Sequence, residues 1–439
     1  MAEIYPSFGR TVRAGTHALT LGAALDELRQ GSTSLLPYGN GRTYGDSCQN
    51  ADGALVDMSG HASILDFDAQ TGVLEAESGV MLGDIIAHGR PHGWFPPVLP
   101  GTQFVTLGGA IANDVHGKNH HRRGSFGAHV LSFDLARSGG EMLHCSPTEN
   151  AHLFAATIGG MGLTGIILSA RIQLMQVASV DIEEQVKPFP SLGHYFDMAE
   201  DGDIENEYAV AWLDQMATGA RAGRGVLLLG NHSARDASPA GVGRRPLTVP
   251  FQPPLTILNK PFLTLFNLAY RAAKMRRKEI SLTPYQSYFF PLDAVSNWNR
   301  LYGPAGLFQH QSVIPEPVAR EIVPALLSAS HAAGQGSFLT VLKRFGTAGS
   351  PGIISFPRPG YTLTLDFPNR GAATLALLER LDAITMEAGG AVNPYKDARM
   401  SAAVFKASFP RWQELEVWRD ARFVSDFWKR TVLRVSGSA

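Results

Sequence analysis

Most apolar positions in this chain alternate with polar ones over short runs, the period-two signature of strands, and glycine-rich turns separate the runs. ILDFDAQTGVLEAESG (64–79) holds two such runs about a Gln-Thr-Gly turn, and VLSFDLARSGGEMLHCSP (130–147) repeats the plan about Ser-Gly-Gly, so both predict hairpins. ALDELRQ (24–30) predicts a short helix, and TSLLPYG (33–39) a strand running into a glycine turn. ENAHLFAATIGGMGLTGIILSARIQLM (149–175) predicts a helix, a glycine-rich turn and a β-branched strand. Together these place a mixed unit in residues 1–178.

The pattern then shifts. EYAVAWLDQ (207–215) and GRGVLLLG (223–230) read as strands, followed by a proline-rich, basic stretch. PYQSYFFPLD (284–293), GLFQHQSVIP (306–315), GSFLTVLKRFG (336–346) and YTLTLDFP (361–368) read as four more, with a helix at PVAREIVPALLSASHAAG (317–334). The expectation is a second unit over 179–390, an antiparallel sheet with helices on one side. Residues 391–439 return to helix-forming composition, ending RWQELEVWRDARFVSDFWKRTVLRV. The fold class is therefore α+β.

Composition narrows the function little. The 38 basic and 39 acidic residues nearly cancel, which gives no electrostatic reason to expect nucleic acid. The two cysteines, Cys48 and Cys145, have no metal or redox spacing and are expected as free thiols. The first thirty residues lack a basic start followed by an apolar core, so no signal peptide is expected. Residues 253–279 combine an apolar body, with Phe262, Leu263, Leu265, Phe266 and Leu268, and a basic end, with Arg271, Lys274, Arg276, Arg277 and Lys278. That composition fits an interfacial segment, flexible and membrane-facing over about 251–279. It fits equally a helix packed on the protein with a solvated basic tip.

Candidate chemistry begins at HGKNHH (116–121). His116 and His120 have the i, i+4 spacing of a zinc-binding helix, but Gly117 and Asn119 interrupt a helix and no acidic or cysteine cluster lies nearby. Three glycine-rich loops surround the run: LPYGNGRTYGDS (36–47), LPGTQFVTLGGAIANDVHGKNHHRRGSFG (99–127) and GGMGLTGII (159–167). Such loops turn backbone N–H groups toward phosphate oxygens. A single one is as well explained by a tight turn; three in one unit suit a long, doubly phosphorylated ligand.

These loops, in this order, resemble the FAD-binding domain of vanillyl-alcohol oxidase type flavoproteins. Within that superfamily, GRTYGDS, LPGT, GGAIANDVHGKNHHRRGSFGAHV, GLTGII, WNRLYGPAG, QHQSVIP, FLTVLKRFG, ISFPRPGY and YKDAR are similar to the decaprenylphosphoryl-β-D-ribose 2′-oxidase family over nearly the whole chain. The resemblance implies a two-part FAD-binding domain, residues 391–439 returning to residues 1–178, and a substrate domain between them. It implies FAD contacts from Pro37, Tyr38, Gly39, Asn40, Gly41, Arg42, Thr43, Tyr44, Gly45, Asp46 and Ser47. Further contacts are implied from Gly101, Thr106, Leu107, Gly108, Gly109, Asn113, Asp114, Val115, His116 and Ile167, and at Asn393, where the family has a tyrosine. Arg42 stands where covalently flavinylated relatives carry histidine, so the FAD is expected to be dissociable.

The chemistry so implied is hydride transfer from a sugar C–H to the flavin with loss of the hydroxyl proton. Lys396 is the expected contact to that hydroxyl, and His116 the expected proton acceptor or relay. Lys118 and Lys343 would meet the substrate phosphate, while Trp212, Gln309 and Gln311 would line the sugar pocket. Thr364 and Phe289 stand where the family has cysteine and tyrosine, which alters the pocket wall. The implied partners are a polyprenyl-phosphate pentose, a separate NAD(P)-dependent keto-reductase, a quinone or oxygen as electron acceptor, and a membrane surface met peripherally. A soluble polyol or aldonolactone is the near alternative substrate. A zinc hydrolase and a non-catalytic nucleotide-binding module are the alternatives from other classes.

Overall fold

The computed structural model describes residues 4–235 and 247–434. Three sheets carry the architecture. The first is parallel, with strands Ala18–Thr20, Ala54–Asp57 and Leu35–Tyr38 side by side in that order. Its crossover is the helix Leu21–Gln30, whose N-cap Thr20 accepts a hydrogen bond from the Ala23 amide. Its central strand is apolar and buried from Ala54 to Val56, as a strand covered on both faces should be.

The second sheet is antiparallel, with strand order Ile64–Phe67, Val73–Glu77, Ile166–Gln173, Val130–Ala136 and Met142–Cys145. The two expected hairpins are its two edges. Helices Leu82–Gly89, Leu107–Ala112 and Ala151–Thr157 cover one face and bury Leu74, Ala76, Phe133, Leu135, Ala170 and Ile172.

The large sheet is antiparallel and eight-stranded. Its strand order is Ile280–Thr283, Ile182–Phe189, Gly225–His232, Tyr208–Leu213, Thr340–Phe345, Gly360–Pro368, Leu307–Ile314 and Ala391–Val392. Alternation splits its two faces cleanly. Ala209, Ala211, Leu213, Leu342, Leu363, Leu365, Phe367, Phe308 and Ile314 all point to one side, where they pack under helices Leu192–Glu205, Glu316–Ala332 and Ala372–Glu387. The residues between them point the other way, toward the first two sheets.

One sequence-based expectation needs correction. PYQSYFFPLD is not a strand: Tyr285–Phe289 is a short helix. Tyr285, Tyr288 and Phe289 lie at i, i+3 and i+4, so a single helical turn buries all three against Phe95 and Tyr208, which a strand could not do. The stretch expected to be flexible at about 251–279 contains a regular helix, Lys260–Met275. Asn259 caps it by accepting from the Phe262 amide at 3.0 Å, and Pro261 sits in its first turn. This helix lies against the other face of the large sheet. Asn267 donates to Asp214 at 2.9 Å, and Tyr270 packs on Trp212 with ring centroids 4.8 Å apart.

The C-terminal segment threads back through the molecule. Tyr395, Met400, Phe405, Phe427 and Trp428 join Leu36, Tyr38 and Leu55 of the first sheet in one core cluster. Arg430 fixes this return: its guanidinium bonds Asp46 at 2.6 and 3.0 Å and Asp397 at 3.2 Å, and also reaches the Met400 carbonyl. Both carboxylates are buried; Asp397 also meets Arg399 at 3.3 Å, but among the described residues Asp46 has no other cation, so removing the guanidinium leaves it uncompensated. Arg430→Ala is expected to lower the stability toward chemical denaturation by about 3–5 kcal/mol, read as an earlier unfolding midpoint. Arg430→Lys, which keeps the charge but not the fork, should recover part of the loss.

Candidate active site

The inner face of the large sheet changes character along its width. On the strands Tyr208–Leu213 and Gly225–His232 it is apolar, with Val210, Trp212, Val226 and Leu228 gathered under Tyr270. On the three strands beyond, the same alternation presents Val341 and Lys343, then Thr362, Thr364 and Asp366, then Gln309 and Gln311. Register holds these polar residues abreast: Lys343 faces Thr362, Val341 and Gln311 flank Thr364, and Gln309 faces Asp366.

The HGKNHH loop closes over this polar stripe. Its three histidines point to three different neighbours. His116 Nε2 meets Gln311 Nε2 at 3.0 Å, His120 packs on the Phe345 ring at 4.6 Å, and His121 Nε2 reaches the Asn206 carbonyl at 3.1 Å. Asp114, at positive φ, anchors the loop. It accepts from Ser125 at 2.8 Å, the Gly127 amide at 2.7 Å, Ser350 at 2.5 Å and also Ser355. Its carboxylate is therefore fully used in shaping the loop.

Lys118, Lys343 and Lys396 converge on the space between loop and sheet. Lys118 donates to the Tyr288 carbonyl and lies 4.3 Å from the Tyr288 ring centroid. Lys343 reaches the Gly117 carbonyl at 3.3 Å, and Lys396 lies 4.5 Å over Tyr44. The acids nearby do not neutralise them. Glu184 is taken by Lys274 and Arg277, each at 2.6 Å, and by Thr283 at 2.8 Å. Asp366 accepts from Gln309 at 2.5 Å. Among the described residues none of the three lysines has a carboxylate within ion-pair distance. Burial, and for Lys118 also the Lys274 charge, pulls Lys118 and Lys343 down to about 7. Burial pulls Lys396 down to about 8, Asp366 opposing it. Burial and the Lys343 charge hold His116 well below the ordinary histidine value.

An amide network fixes orientation here. The Tyr395 backbone N–H donates to Asn393 Oδ1 at 2.9 Å, so Asn393 Nδ2 must face Gln311, donating to its Oε1 at 2.9 Å. Gln311 Nε2 is then the donor to both Thr362 Oγ1, at 3.0 Å, and His116 Nε2. Asn393 thus holds Gln311 in place.

Beside this space runs the glycine loop after Leu35–Tyr38. Gly45 packs so tightly that a Cβ would lie 1.5 Å from the Asp397 carbonyl oxygen, which seats the loop on the YKDAR segment carrying Lys396. Among the described residues the amides of Asn40, Gly41, Arg42 and Thr43 have no protein acceptor. Arg42 lies between Phe8 and Phe104, and its Nε is buried without a partner. A run of unanswered donors is what a diphosphate group requires. Thr106 caps the helix Leu107–Ala112 by accepting from Gly109, and Asn113 donates back to the Gly109 carbonyl. Gly108 lets that helix approach Ser78, where a Cβ would sit 2.8 Å from the serine Cβ. The residues present fit FAD.

Not every residue expected at the site points into it. Asp46 is turned to Arg430, and the Tyr38 hydroxyl to the Pro6 carbonyl. Leu107 and Ile167 belong to the second sheet's core, against which Val115 packs, Gly101 lies in an exposed bend, and Ser47 is buried beside Asp46. Trp212 lies in the apolar strip and Phe289 among Phe95, Tyr208 and Tyr288. Tyr288, Thr362 and Asp366 escaped the sequence reading. The i, i+2 step from Thr364 would have found the last two; Tyr288 gave no signal.

Fold and site define an FAD-dependent oxidoreductase. Residues 11–146 match the family described as FAD binding domain. The chain is 35% identical to decaprenylphosphoryl-beta-D-ribose oxidase of Mycolicibacterium smegmatis, over 92% of this chain and 90% of that protein. It is also 35% identical to an uncharacterized Streptomyces coelicolor protein from the mprA 5′ region, over 75% and 92% of the two chains. Similarity to cytokinin dehydrogenase 3 of Oryza sativa subsp. japonica is 28% and covers 33% of this chain and 28% of that one. The chain belongs to the decaprenylphosphoryl-β-D-ribose oxidase family.

The unneutralised lysines carry a stability cost. A lysine whose pKa is depressed on folding binds protons more weakly in the folded state, so the flavin-free protein gains stability as pH rises from about 7 toward 10. Lys343→Met should therefore stabilise the flavin-free protein near pH 7 by on the order of 1–2 kcal/mol while weakening binding of an anionic ligand. Thermal unfolding at pH 6.5 and 9 checks both the sign and its pH dependence.

Proposed function

We propose that this enzyme oxidises the 2′-hydroxyl of a polyprenylphosphoryl pentose, of the decaprenylphosphoryl-β-D-ribose type, to the 2′-keto sugar. The observation that carries the reading is the meeting of three unneutralised lysines and an amide-rich stripe with an apolar strip on one sheet face. A phosphosugar needs the first two and a prenyl chain the third. In the family setting, the keto product passes to a separate nicotinamide-dependent reductase, completing epimerisation to the arabinose lipid of envelope glycans, and a quinone or oxygen reoxidises the cofactor.

FAD, held dissociably, supplies the hydride acceptor. The first two sheets with residues 391–439 act as the two-part FAD-binding domain of vanillyl-alcohol oxidase type, residues 1–178 forming its main part. Residues 179–390 act as the substrate domain. Asn40 to Thr43 would cradle the diphosphate, and Arg42, flanked by Phe8 and Phe104, leaves no histidine for a covalent link. Lys396 directs its cation at the reacting hydroxyl and stabilises negative charge on that oxygen. Gln311, fixed by Asn393, orients the sugar, with Thr364 altering the wall. Lys118 and Lys343 take the phosphate, which raises their pKa on binding.

The helix Lys260–Met275 supports a membrane role. It exposes Leu265, Leu268 and Met275, and Leu247, Phe251, Leu255, Ile280 and Leu282 are exposed in the segments before and after it. Among the described residues no helix is long and apolar enough to cross a membrane. Contact is peripheral in this reading, with the prenyl tail left in the bilayer and the head group drawn under the helix.

Purified protein should show a flavin absorption band that bleaches anaerobically on adding a short-chain polyprenylphosphoryl ribose, and heat or acid should release the flavin into solution. A band that persists with this lipid but bleaches with soluble polyols would favour the polyol or aldonolactone alternative. Leu265→Glu with Leu268→Glu should reduce binding to anionic liposomes at least tenfold while leaving the flavin spectrum intact; unchanged binding would rule out docking through this helix.

A further inference from the structure

Oxidation of an alcohol releases a proton as well as a hydride, and the hydrogen bonds leave His116 poorly placed to take it. Its Nε2 lone pair is already filled by the Gln311 amide, whose orientation is set two bonds away by the Tyr395 backbone N–H. The ring proton therefore sits on Nδ1, and Lys343, Lys396 and His120 all oppose a second one.

Asp366 has the opposite properties. It lies on the same sheet face as Thr362 and Thr364, directly opposite Gln309. It is fully buried; Oδ1 is taken by Gln309, and Oδ2 has no partner among the described residues. A buried carboxylate oxygen left unpaired costs several kcal/mol unless something occupies the space before it. Gln309 Oε1 and the Tyr302 hydroxyl are buried and unpartnered as well. The charged and titratable groups facing Asp366 are Lys396 from the YKDAR segment, Tyr44 from the glycine loop and Tyr302 from the turn Trp298–Tyr302. Lys396 lies over Tyr44, which places cation and carboxylate around one corner of the pocket without an ion pair between them.

We propose, on the reading of the reaction given above, that Asp366 is its base: the unpaired Oδ2 accepts the proton of the hydroxyl that Lys396 grips from the other side. The O–H bond breaks toward Oδ2, the carbonyl π bond forms, and the C–H electron pair leaves as hydride to the bound FAD. The substrate is oxidised by two electrons, the FAD reduced, and Asp366 ends as a neutral carboxylic acid. Burial raises the Asp366 carboxyl to about 7, Lys396 opposing it, and leaves Lys396 at about 8. Lys396 keeps its proton throughout, and Asp366 gives up the one it has taken to solvent once the keto product has left. Activity needs Asp366 ionised and Lys396 protonated, so it falls below about pH 7 and again above about pH 8.

Asp366→Asn tests this in the FAD-loaded protein. The isosteric amide should leave flavin loading intact and slow anaerobic flavin reduction by roughly 10²–10⁴-fold, with the acid limb of the pH profile abolished. Asp366→Glu, which keeps the carboxylate, should retain that limb. A second readout needs no turnover: competitive acetylation of Lys396 across pH, followed by peptide mass spectrometry. Losing the carboxylate should move its labelling midpoint to lower pH. Reduction within threefold of wild type, or a surviving acid limb, would place the base elsewhere. If the wild type itself is not reduced by the lipid, the substrate reading has failed and not this assignment. The labelling shift then decides alone, and an unmoved Lys396 midpoint overturns the proposal.

Discussion

Lys118, Lys343 and Lys396 are buried in succession, each within electrostatic reach of the next, with Asp366 beside Lys396 and an already paired Glu184 beside Lys118. Moving an ammonium group out of water costs several kcal/mol when no counter-charge meets it, and here three are moved together. On the proposed function, the fold bears that cost because an anion completes the site: a phosphate on the substrate and the negative charge that develops on the reacting oxygen would be the charges the lysines lack. The same deficit that lowers the stability of the empty protein becomes affinity and rate once the pocket is filled, since a preorganised cation needs no rearrangement during reaction.

The surrounding architecture reads as support for that arrangement. The large sheet can turn lysine, threonine, glutamine and aspartate inward because its other face already carries the core under three helices. Two further devices bring in the rest. Asp114, with every carboxylate oxygen engaged, shapes the loop that delivers Lys118 and His116. Arg430 locks the C-terminal return that delivers Lys396 and presses it against Gly45. Neither residue belongs to the polar stripe, yet each decides where a candidate site residue stands.

Much of this was legible in the chain because some signals are dense and local. HGKNHH followed by GSFG, with three glycine loops in fixed order, is enough to identify the family and its FAD. YTLTLDFP alternates strictly, so strand and facing follow directly. Other features depend on tertiary partners. PYQSYFFPLD fits both periods, and only the Phe95 and Tyr208 surface selects the helix. Asp366 sits in Leu-Asp-Phe-Pro near a strand end, where an acid ordinarily meets water; its burial comes from Gln309, Tyr44 and Tyr302, all distant in sequence. The helix Lys260–Met275 reads from composition as either packed or interfacial. It is packed through Leu263, Asn267 and Tyr270 while its other side stays apolar and open.

The central claim is that these lysines bind the substrate's phosphate as cations beside the flavin. The most direct measurement is the affinity of a 2′-deoxy polyprenylphosphoryl ribose, which cannot be oxidised at that position, followed through the flavin absorbance from pH 6 to 9. Affinity should fall steadily as pH rises through 7 and Lys118 and Lys343 lose their protons in the free enzyme. It should also exceed that of an uncharged alkyl riboside of equal length by at least tenfold. Affinity independent of pH, or equal for the charged and uncharged analogues, would contradict the account.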